Sequence, residues 1–309
     1  MAGVFLATLG LQALTPTAPA TARDSVVRVI QPNAPQHLKW DRDWMQVFFD
    51  RAIDLTAGEG PVDVVIWPET SVPTLLEYAE PLFDQMGRAA GGASVVAGIQ
   101  RREGAAYYNS AVVLEGPQTV ADIYDKAHLV PFGEYIPFAN VLEPLGLGTL
   151  VDQVAGFSAG DRGGLIDVDG LGRVRVLICY EGIFPEDIAW DAQRADVLLI
   201  LTNDAWFGTG PGPRQHLVQA QSRAIEQGLP VIRSANTGIS AVIDARGRIA
   251  ARLPLNEAGV LNVPVPAPLP PTAYARLGDA PLLLLLLICT LAGAALRHRF
   301  VVDEADSPR

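Results

Sequence analysis

Two apolar stretches, VDVVIW at residues 62–67 and ADVLLILT at residues 195–202, decide the fold class. Each is about as long as a strand and almost continuously apolar, which is typical of strands buried on both faces. Similar runs recur along the chain with helix-compatible segments between them, and this alternation predicts a layered α/β fold with helices outside the sheets. Further strands are predicted at residues 25–30, 94–99, 111–114, 175–179, 230–234 and 240–244, and helices at residues 40–57, 74–90, 185–195 and 214–227.

The composition narrows the classes of function. The 309 residues are enough for one large α/β domain and an appendage. Lys and Arg number 23 against 34 Asp and Glu, and this net charge of −11 argues against a nucleic-acid partner. Two cysteines exclude a disulfide framework and a Cys-rich zinc site, and no His, Asp or Glu cluster has metal-ligand spacing. We therefore expect no metal and no cofactor.

An uncharged apolar run, APLLLLLLICTLAGAAL, occupies residues 280–296 and is followed at once by Arg297, His298 and Arg299. As a helix its 17 residues would measure roughly 25 Å, the short end of what a bilayer core requires. A buried core helix is the alternative, but six consecutive leucines leave no polar face. The run predicts a C-terminal transmembrane helix, and its basic flank predicts that the preceding domain lies outside the cytoplasm.

The chain divides into five predicted segments. Residues 1–24 are an apolar N-terminal remnant or linker, either the tail of a membrane helix or a weak signal sequence, with no Lys or Arg before Arg23. Residues 25–263 form the α/β domain, in which we expect the functional site. Residues 264–279 are a proline-rich linker, residues 280–296 the transmembrane helix and residues 297–309 a cytoplasmic tail.

Three polar residues at or near predicted strand ends carry candidate chemistry: Glu69 in WPET, Lys126 in YDKAH and Cys179 in LICYE. Each has an ordinary alternative, since Glu69 could be a solvated loop residue, Lys126 an exposed partner of Asp125, and Cys179 a small buried apolar side chain. Together the three residues could catalyse a reaction through a cysteine nucleophile. A carboxylate can take the proton of a thiol, and an ammonium can stabilise the thiolate and then the oxyanion of a tetrahedral intermediate.

Histidine, the usual activator of a cysteine nucleophile, shows no matching pattern here. The four histidines stand in no Cys/His spacing that indicates catalysis, so a residue of another type must activate Cys179. The second cysteine, Cys289, lies in the apolar run and is interpreted as apolar filling. The histidines in question are His37, His128, His216 and His298.

The ordered motifs WPET, DKAHLVPFGEY and LICYE, with spacings of 57 and 53 residues between Glu69, Lys126 and Cys179, resemble the nitrilase (carbon–nitrogen hydrolase) superfamily. HLVPFGEYIP, TNDAWFG, HLVQAQSRAIEQGLPVIRSANTGISAVID and TAYARLGD are similar to one branch of it, the bacterial apolipoprotein N-acyltransferases. The similarity covers roughly residues 26–299. Branch members carry several membrane-spanning helices before the catalytic domain, so we expect a fragment or a shortened variant here.

The resemblance implies an αββα sandwich and a role for each matching residue. Glu69 would be the general base, Lys126 the stabiliser of the intermediate and Cys179 the nucleophile. Supporting roles fall to Glu134 in FGEY and to Tyr180 and Glu181 beside the nucleophile. Residues expected near bound substrate, which could equally be ordinary loop-packing residues, are Trp40, Asn109, Trp206 and Phe207.

The implied activity is a two-step acyl transfer at the bacterial inner (plasma) membrane, with the catalytic domain on the periplasmic side. A phospholipid acyl donor passes its chain to Cys179, and a diacylglyceryl-modified apolipoprotein then accepts it. An apolar anchor agrees with a lipid substrate. Two alternatives stay open: an amidase that uses the same residues to hydrolyse a small amide, and a non-catalytic, membrane-tethered binding subunit.

Overall fold

A computed structural model describes residues 22–138, 156–161, 163–188 and 193–305, with the backbone alone over residues 295–305. Twelve strands in these ranges form two six-stranded sheets. The first sheet has the order β12-β1-β2-β3-β4-β5 and the second β11-β10-β9-β8-β7-β6. The strands are β1 Ala22–Gln31, β2 Val64–Ile66, β3 Ser94–Glu103, β4 Ala106–Glu115, β5 Thr119–Asp125, β6 Leu165–Val168, β7 Gly172–Ile178, β8 Val197–Thr202, β9 Val231–Ala235, β10 Ala241–Ile243, β11 Ile249–Arg252 and β12 Gly259–Pro266.

Each sheet has a parallel centre with antiparallel strands on both sides. Strands β1, β2 and β3 run parallel in the first sheet, and β7, β8 and β9 run parallel in the second. The carboxyl ends of parallel strands lie at one edge of a sheet, which is where α/β proteins place ligands. Residues that follow β2 and β7 are therefore brought to corresponding edges.

Within the described ranges, the α-helices are α1 Met45–Thr56, α2 Glu80–Ala90, α3 Gly212–Gln227, α4 Ala273–Leu277 and α5 Ala280–Ala305. Apolar residues of α1 and α2 pack on the outer face of the first sheet, and those of α3 on the outer face of the second. A third apolar cluster fills the space between the sheets. This is the αββα sandwich that the resemblance to the nitrilase superfamily implies.

Successive side chains of a strand point to opposite faces of the sheet, and this alternation explains why each buried strand contributes to two apolar layers. Val64 and Ile66 of β2 lie in the core between the sheets, while Val65 lies in the cluster under α1 and α2. In β8, Leu199 lies between the sheets and Leu198 lies under α3. A continuously apolar strand is needed because both faces are covered.

Three helix predictions need correction. The helix predicted at residues 40–57 begins only at Met45, because residues 40–44 are not helical. The segment 74–90 is not one helix, because a 3₁₀ turn at Leu76–Tyr78 precedes α2, which begins at Glu80 with Pro81 in its first turn. Residues 185–188 form turns rather than a helix, and residues 189–192 of that prediction lie outside the described residues.

Two predicted segment boundaries fall within strands, and the division into five segments stays a prediction. Residues 1–21 of the predicted N-terminal segment lie outside the described residues, and Ala22 to Asp24 already belong to β1. Strand β12 continues to Pro266, beyond the predicted domain boundary at residue 263.

The predicted transmembrane helix at residues 280–296 is not supported. Helix α5 covers this segment, and its leucines from Leu282 to Leu287 are more than half exposed. Among the described residues, no helix has both the length and the apolarity needed to cross a membrane.

Gly98 of β3 fixes the path of the loop that follows β2. A Cβ atom at this position would lie 2.5 Å from the Thr70 nitrogen and 2.6 Å from both the Glu69 Cα and the Pro68 oxygen. All three neighbours are backbone atoms. The Pro68 oxygen accepts a hydrogen bond from the Gly98 N–H at 3.2 Å, and the Ser71 N–H donates to the Gly98 oxygen at 2.8 Å, so this backbone has little freedom to move.

We expect Gly98→Ala to lower the free energy of unfolding by about 1–3 kcal/mol, because backbone must shift to admit the methyl group. Denaturant unfolding followed by circular dichroism measures this. The control is Gly163→Ala, where a Cβ meets no atom within 4 Å and we expect a change below about 0.5 kcal/mol. Equal stabilities of the two variants would contradict the close packing at Gly98.

Candidate active site

Glu69 follows β2 and lies where the two sheets approach each other. Its side chain is buried, and both carboxylate oxygens accept hydrogen bonds. Oε1 accepts one from Asn109 Nδ2 at 2.7 Å, and Oε2 accepts one from the backbone N–H of Asn203 at 2.8 Å. Asn109 belongs to β4 in the first sheet and Asn203 follows β8 in the second. The carboxylate is therefore held from both sheets.

Lys126 follows β5, and its side chain is 1% exposed. Its Nζ donates to Glu134 Oε1 at 2.8 Å and lies 4.0 Å from Glu69 Oε1. Its backbone N–H donates to the carbonyl oxygen of Asn109 at 2.8 Å. The ammonium thus lies between two carboxylates in a fixed position.

Cys179 follows β7 and begins a short 3₁₀ helix, Cys179–Ile183. Its φ of 51° lies in the left-handed region, where a residue with a side chain is strained by about 1–3 kcal/mol. The charges of Glu69 and Lys126 both act on the thiol. The structure therefore brings together the three residues that the motifs single out.

The electrostatics of these three groups favour a protonated thiol at rest. Burial raises the pKa of Cys179 to about 12, and the negative charge of Glu69 adds to this while Lys126 opposes it. Burial alone would lower the pKa of Lys126, but Glu69, Cys179 and Glu134 hold it above its ordinary value. A thiol with so high a pKa needs a base at the moment of reaction.

Glu134 and Asn109 complete this group of side chains. Glu134 Oε2 accepts a hydrogen bond from the backbone N–H of Val130 at 2.7 Å, which leaves Oε1 directed at Lys126. Asn109 Nδ2 lies 3.4 Å from the same Glu134 oxygen in addition to its contact with Glu69. The two predicted residues therefore orient the ammonium and the carboxylate of the central set.

Glu181 joins the turn that carries Cys179 to the loop that carries Lys126. Oε2 accepts from the backbone N–H of Ile178 at 2.7 Å, and Oε1 accepts from the N–H groups of Ala127 at 2.8 Å and His128 at 3.0 Å. The Tyr124 hydroxyl donates to Oε1 at 2.7 Å. Burial raises the pKa of Glu181, and these donors oppose that rise.

The predicted aromatic residues occupy loops around this edge. Trp206 and Phe207 belong to a 3₁₀ turn at Asp204–Phe207, directly after Asn203, and Trp206 is 72% exposed. Trp40 is 42% exposed and lines a small pocket together with Thr70. Tyr180 packs its ring edge-on against Phe184, with centroids 4.8 Å apart.

The sequence analysis did not single out Lys39, which reaches the same site. Lys39 is 7% exposed, and its Nζ donates to the backbone oxygen of Glu69 at 3.0 Å and to Thr70 Oγ1 at 2.8 Å. The one feature of the sequence that could have indicated Lys39 is its position directly before Trp40 in HLKW. A local pattern does not show whether a lysine in a polar loop is buried.

A buried ionic cluster behind Cys179 was also missed. Asp204 Oδ2 accepts from Arg233 Nη2 at 2.6 Å, and Asp204 Oδ1 lies 2.9 Å from His216 Nδ1. His216 Nε2 donates to the backbone oxygen of Cys179 at 3.3 Å, so this histidine contacts the cysteine backbone rather than the thiol. Burial alone would raise the pKa of Asp204, but Arg233 and His216 hold it well below its ordinary value.

The arrangement can support acyl transfer through a cysteine. A carboxylate is near a protonated thiol, and a fixed ammonium can stabilise negative charge on a reacting carbonyl oxygen. Among the residues that the structure describes, no group of three or more His, Cys, Asp or Glu side chains is arranged to hold a metal ion.

Residues 26–269 match the carbon–nitrogen hydrolase family, and the chain belongs to this family. The chain is 40% identical over 257 residues to the apolipoprotein N-acyltransferase of Brucella melitensis biotype 1, covering 79% of this chain and 48% of that protein. It is 43% identical over 276 residues to the apolipoprotein N-acyltransferase of Sinorhizobium medicae, covering 82% and 50%. The chain thus spans about half the length of the curated relatives it matches, and the resemblance to this branch is confirmed.

Solved structures agree on the fold. A carbon–nitrogen hydrolase from Helicobacter pylori superposes with a TM-score of 0.57 at 19% identity, covering 77% of this chain and 88% of that one. An amidase from Nesterenkonia sp. superposes with a TM-score of 0.58 at 19% identity, covering 85% and 96%. At this identity the likeness establishes a nitrilase-like α/β fold with two sheets.

We expect Asp204→Asn to lower the free energy of unfolding at pH 7 by about 3–5 kcal/mol, because it leaves the buried charge of Arg233 without its partner. The folded-state pKa of Asp204 is lowered, so its contribution to stability is present above about pH 4 and is lost as the pH falls further. The difference between wild type and variant should therefore shrink below about pH 4.

Denaturant titrations at several pH values between 3 and 7 measure this difference. Asp54→Asn, on the exposed side of α1, is the matched control, and we expect it to change stability by less than about 0.5 kcal/mol. A difference for Asp204→Asn that stays constant down to pH 3 would show that folding does not lower the pKa of this carboxyl.

Proposed function

We propose that the chain carries the catalytic unit of an N-acyltransferase that moves a phospholipid acyl chain to the N-terminal diacylglyceryl-cysteine of apolipoproteins. The observation that carries the proposal is the convergence of Glu69, Lys126 and Cys179 at one edge of the sandwich. This convergence occurs in a chain about 40% identical to proteins named apolipoprotein N-acyltransferase. The proposed site needs no metal or cofactor for either step.

In the first step, the Cys179 sulfur attacks the ester carbonyl of the phospholipid while Glu69 takes the thiol proton. Lys126 stabilises the negative charge that develops on the carbonyl oxygen. The intermediate collapses, the carbon–oxygen ester bond breaks, and Glu69 returns the proton to the departing lysophospholipid oxygen. The product is an acyl thioester on Cys179.

In the second step, the α-amine of the diacylglyceryl-cysteine attacks the thioester carbonyl. Glu69 takes a proton from this amine, and Lys126 again stabilises the oxyanion. The carbon–sulfur bond breaks, and the thiolate recovers the proton from Glu69. The products are an amide on the apolipoprotein and the free Cys179 thiol.

The remaining predicted residues serve this reaction by position. Glu134 and Asn109 hold Lys126 and Glu69 in place, and Glu181 fixes the turn that carries Cys179. Tyr180 contributes to the packing beside the nucleophile. The exposed aromatic residues at the loops would contact lipid or lipopeptide, and these are Trp40, Trp206 and Phe207.

A phospholipid donor places the reaction at a membrane surface. We propose the bacterial inner membrane, with the catalytic domain on the periplasmic side, as the site of action. Apolar and aromatic side chains exposed near the reacting groups support contact with a lipid substrate.

The proposal predicts an acyl adduct on Cys179. The full chain is incubated with phosphatidylethanolamine vesicles, and its peptides are analysed by mass spectrometry before and after treatment with neutral hydroxylamine. We expect an acyl mass increment on the Cys179 peptide that hydroxylamine removes, because a thioester is cleaved under these conditions. A diacylglyceryl-cysteine peptide added afterwards should take up the chain as an amide.

Cys179→Ala should abolish the increment, and Cys289→Ala is the matched control that should leave it unchanged. Glu69→Gln should slow its formation by about 10²–10⁴-fold, the usual contribution of a general base. Hydrolysis of small amides without any acyl adduct would overturn the transferase proposal.

A further inference from the structure

Both lysines of the chain converge on Glu69. The sequence contains lysine at only two positions, Lys39 and Lys126. Lys126 Nζ lies 4.0 Å from the Glu69 carboxylate, and Lys39 Nζ lies 3.0 Å from the Glu69 backbone oxygen. The first contact accords with the proposed chemistry, while the second has no role in the steps derived so far.

Lys39 binds a strained part of the backbone. Thr70, directly after Glu69, has a φ of 45°, a left-handed conformation that is unfavourable for a β-branched residue. The Lys39 ammonium donates to the carbonyl oxygen before this residue and to its hydroxyl. These two bonds favour the strained conformation and so determine where the Glu69 side chain leaves the backbone.

The loop that carries Lys39 is itself anchored to the second sheet. The Ala34 N–H donates to Asn236 Oδ1 at 2.9 Å, and Asn236 Nδ2 donates back to the Ala34 oxygen at 2.7 Å. Asn203 Nδ2 donates to Gln36 Oε1 at 2.7 Å, and the N–H of the same Asn203 binds the Glu69 carboxylate. These hydrogen bonds hold the loop in place, so the position of the Lys39 ammonium is fixed.

We propose that Lys39 is a positioning residue, whose ammonium holds the Glu69–Thr70 peptide so that the Glu69 carboxylate stays in place to take the proton of Cys179. This inference rests on the proposed function only in treating Glu69 as the base for that thiol. It needs neither the phospholipid nor the apolipoprotein, so it can be tested without them.

The charge of Lys39 makes its role dependent on pH. The ionisable groups that act on it are Glu69 after β2 and Cys179 after β7, and the Trp40 ring centroid lies 5.6 Å from its Nζ. The other residues that line the adjoining pocket are not ionisable. Burial lowers the pKa of Lys39 to about 8, and Glu69 and Cys179 oppose this. Lys39 therefore loses its positive charge near pH 8.

The test measures the rate at which iodoacetamide alkylates Cys179 in the full chain, with each cysteine peptide quantified by mass spectrometry. Cys289 in the same sample is the internal reference for general accessibility. We expect Lys39→Met to slow alkylation of Cys179 by roughly 100-fold at pH 7, because a displaced base loses its alignment. Arg88→Met, an exposed position on α2 with the same charge change, should leave the rate unchanged.

Two further measurements separate positioning from a merely structural role. In a Glu69→Gln background, Lys39→Met should slow alkylation much less than in the wild-type background, because only the direct effect of the Lys39 charge on the thiol remains. The ratio of the wild-type rate to the Lys39→Arg rate should fall through about pH 8, since arginine keeps its charge there. The ratio also provides a test if Lys39→Met does not fold.

A wild-type rate in folded Lys39→Met would overturn the proposal, as would equal slowing in the wild-type and Glu69→Gln backgrounds or a ratio that stays flat with pH. These outcomes are independent of acyl transfer. Slowed alkylation without a phospholipid-derived adduct would remove the proposed substrates and keep the role of Lys39.

Discussion

The burial of the Glu69 carboxylate is the constraint on which the site depends. A buried carboxylate is costly unless its oxygens are hydrogen-bonded, and here one oxygen is bound from each sheet. The bond to Asn109 belongs to the first sheet and the bond to Asn203 to the second. The site therefore forms only when the two sheets pack in one relative position, which the apolar core between them provides.

Hydrogen bonds to buried carboxylates also fix the backbone around the nucleophile. Cys179 has a strained backbone, and two buried carboxylates stabilise its surroundings from different directions. Glu181 binds the N–H group of the residue before it, and Asp204 binds the histidine that contacts its carbonyl oxygen. Strain of this kind persists only where neighbouring groups determine the conformation, and it is characteristic of functional sites.

Much of the fold could be predicted from the sequence because it depends on local patterns. The apolar strands and their alternation with helices are local features, and they predict a layered α/β fold with helices outside the sheets. The αββα arrangement was implied by the resemblance. The helix predicted at residues 185–195 was wrong over 185–188, where turns are found. Glu69, Lys126 and Cys179 were identified because each follows a strand in a motif of known order.

The supporting contacts could not be predicted in this way, because they join residues that are far apart in the sequence. Asn203 lies 134 residues from Glu69, and His216 lies 37 residues from Cys179. Asn203 and Asp204 occur in the TNDAWFG motif, but only its aromatic residues were singled out. Lys39 looks like a solvated loop lysine until the packing around it is known. Burial, which determines the ionisation of these groups, is a tertiary property.

The central claim is that Cys179 rests as a thiol and is activated by Glu69, and ultraviolet titration of the thiolate tests it most directly. The spectrum of a Cys289→Ser protein is compared with that of the Cys179→Ala, Cys289→Ser protein between pH 5 and 9. The account predicts no thiolate band from Cys179 at neutral pH, since burial raises the pKa of this thiol to about 12. A full thiolate band at pH 7 in the protein with Glu69 intact would contradict the account.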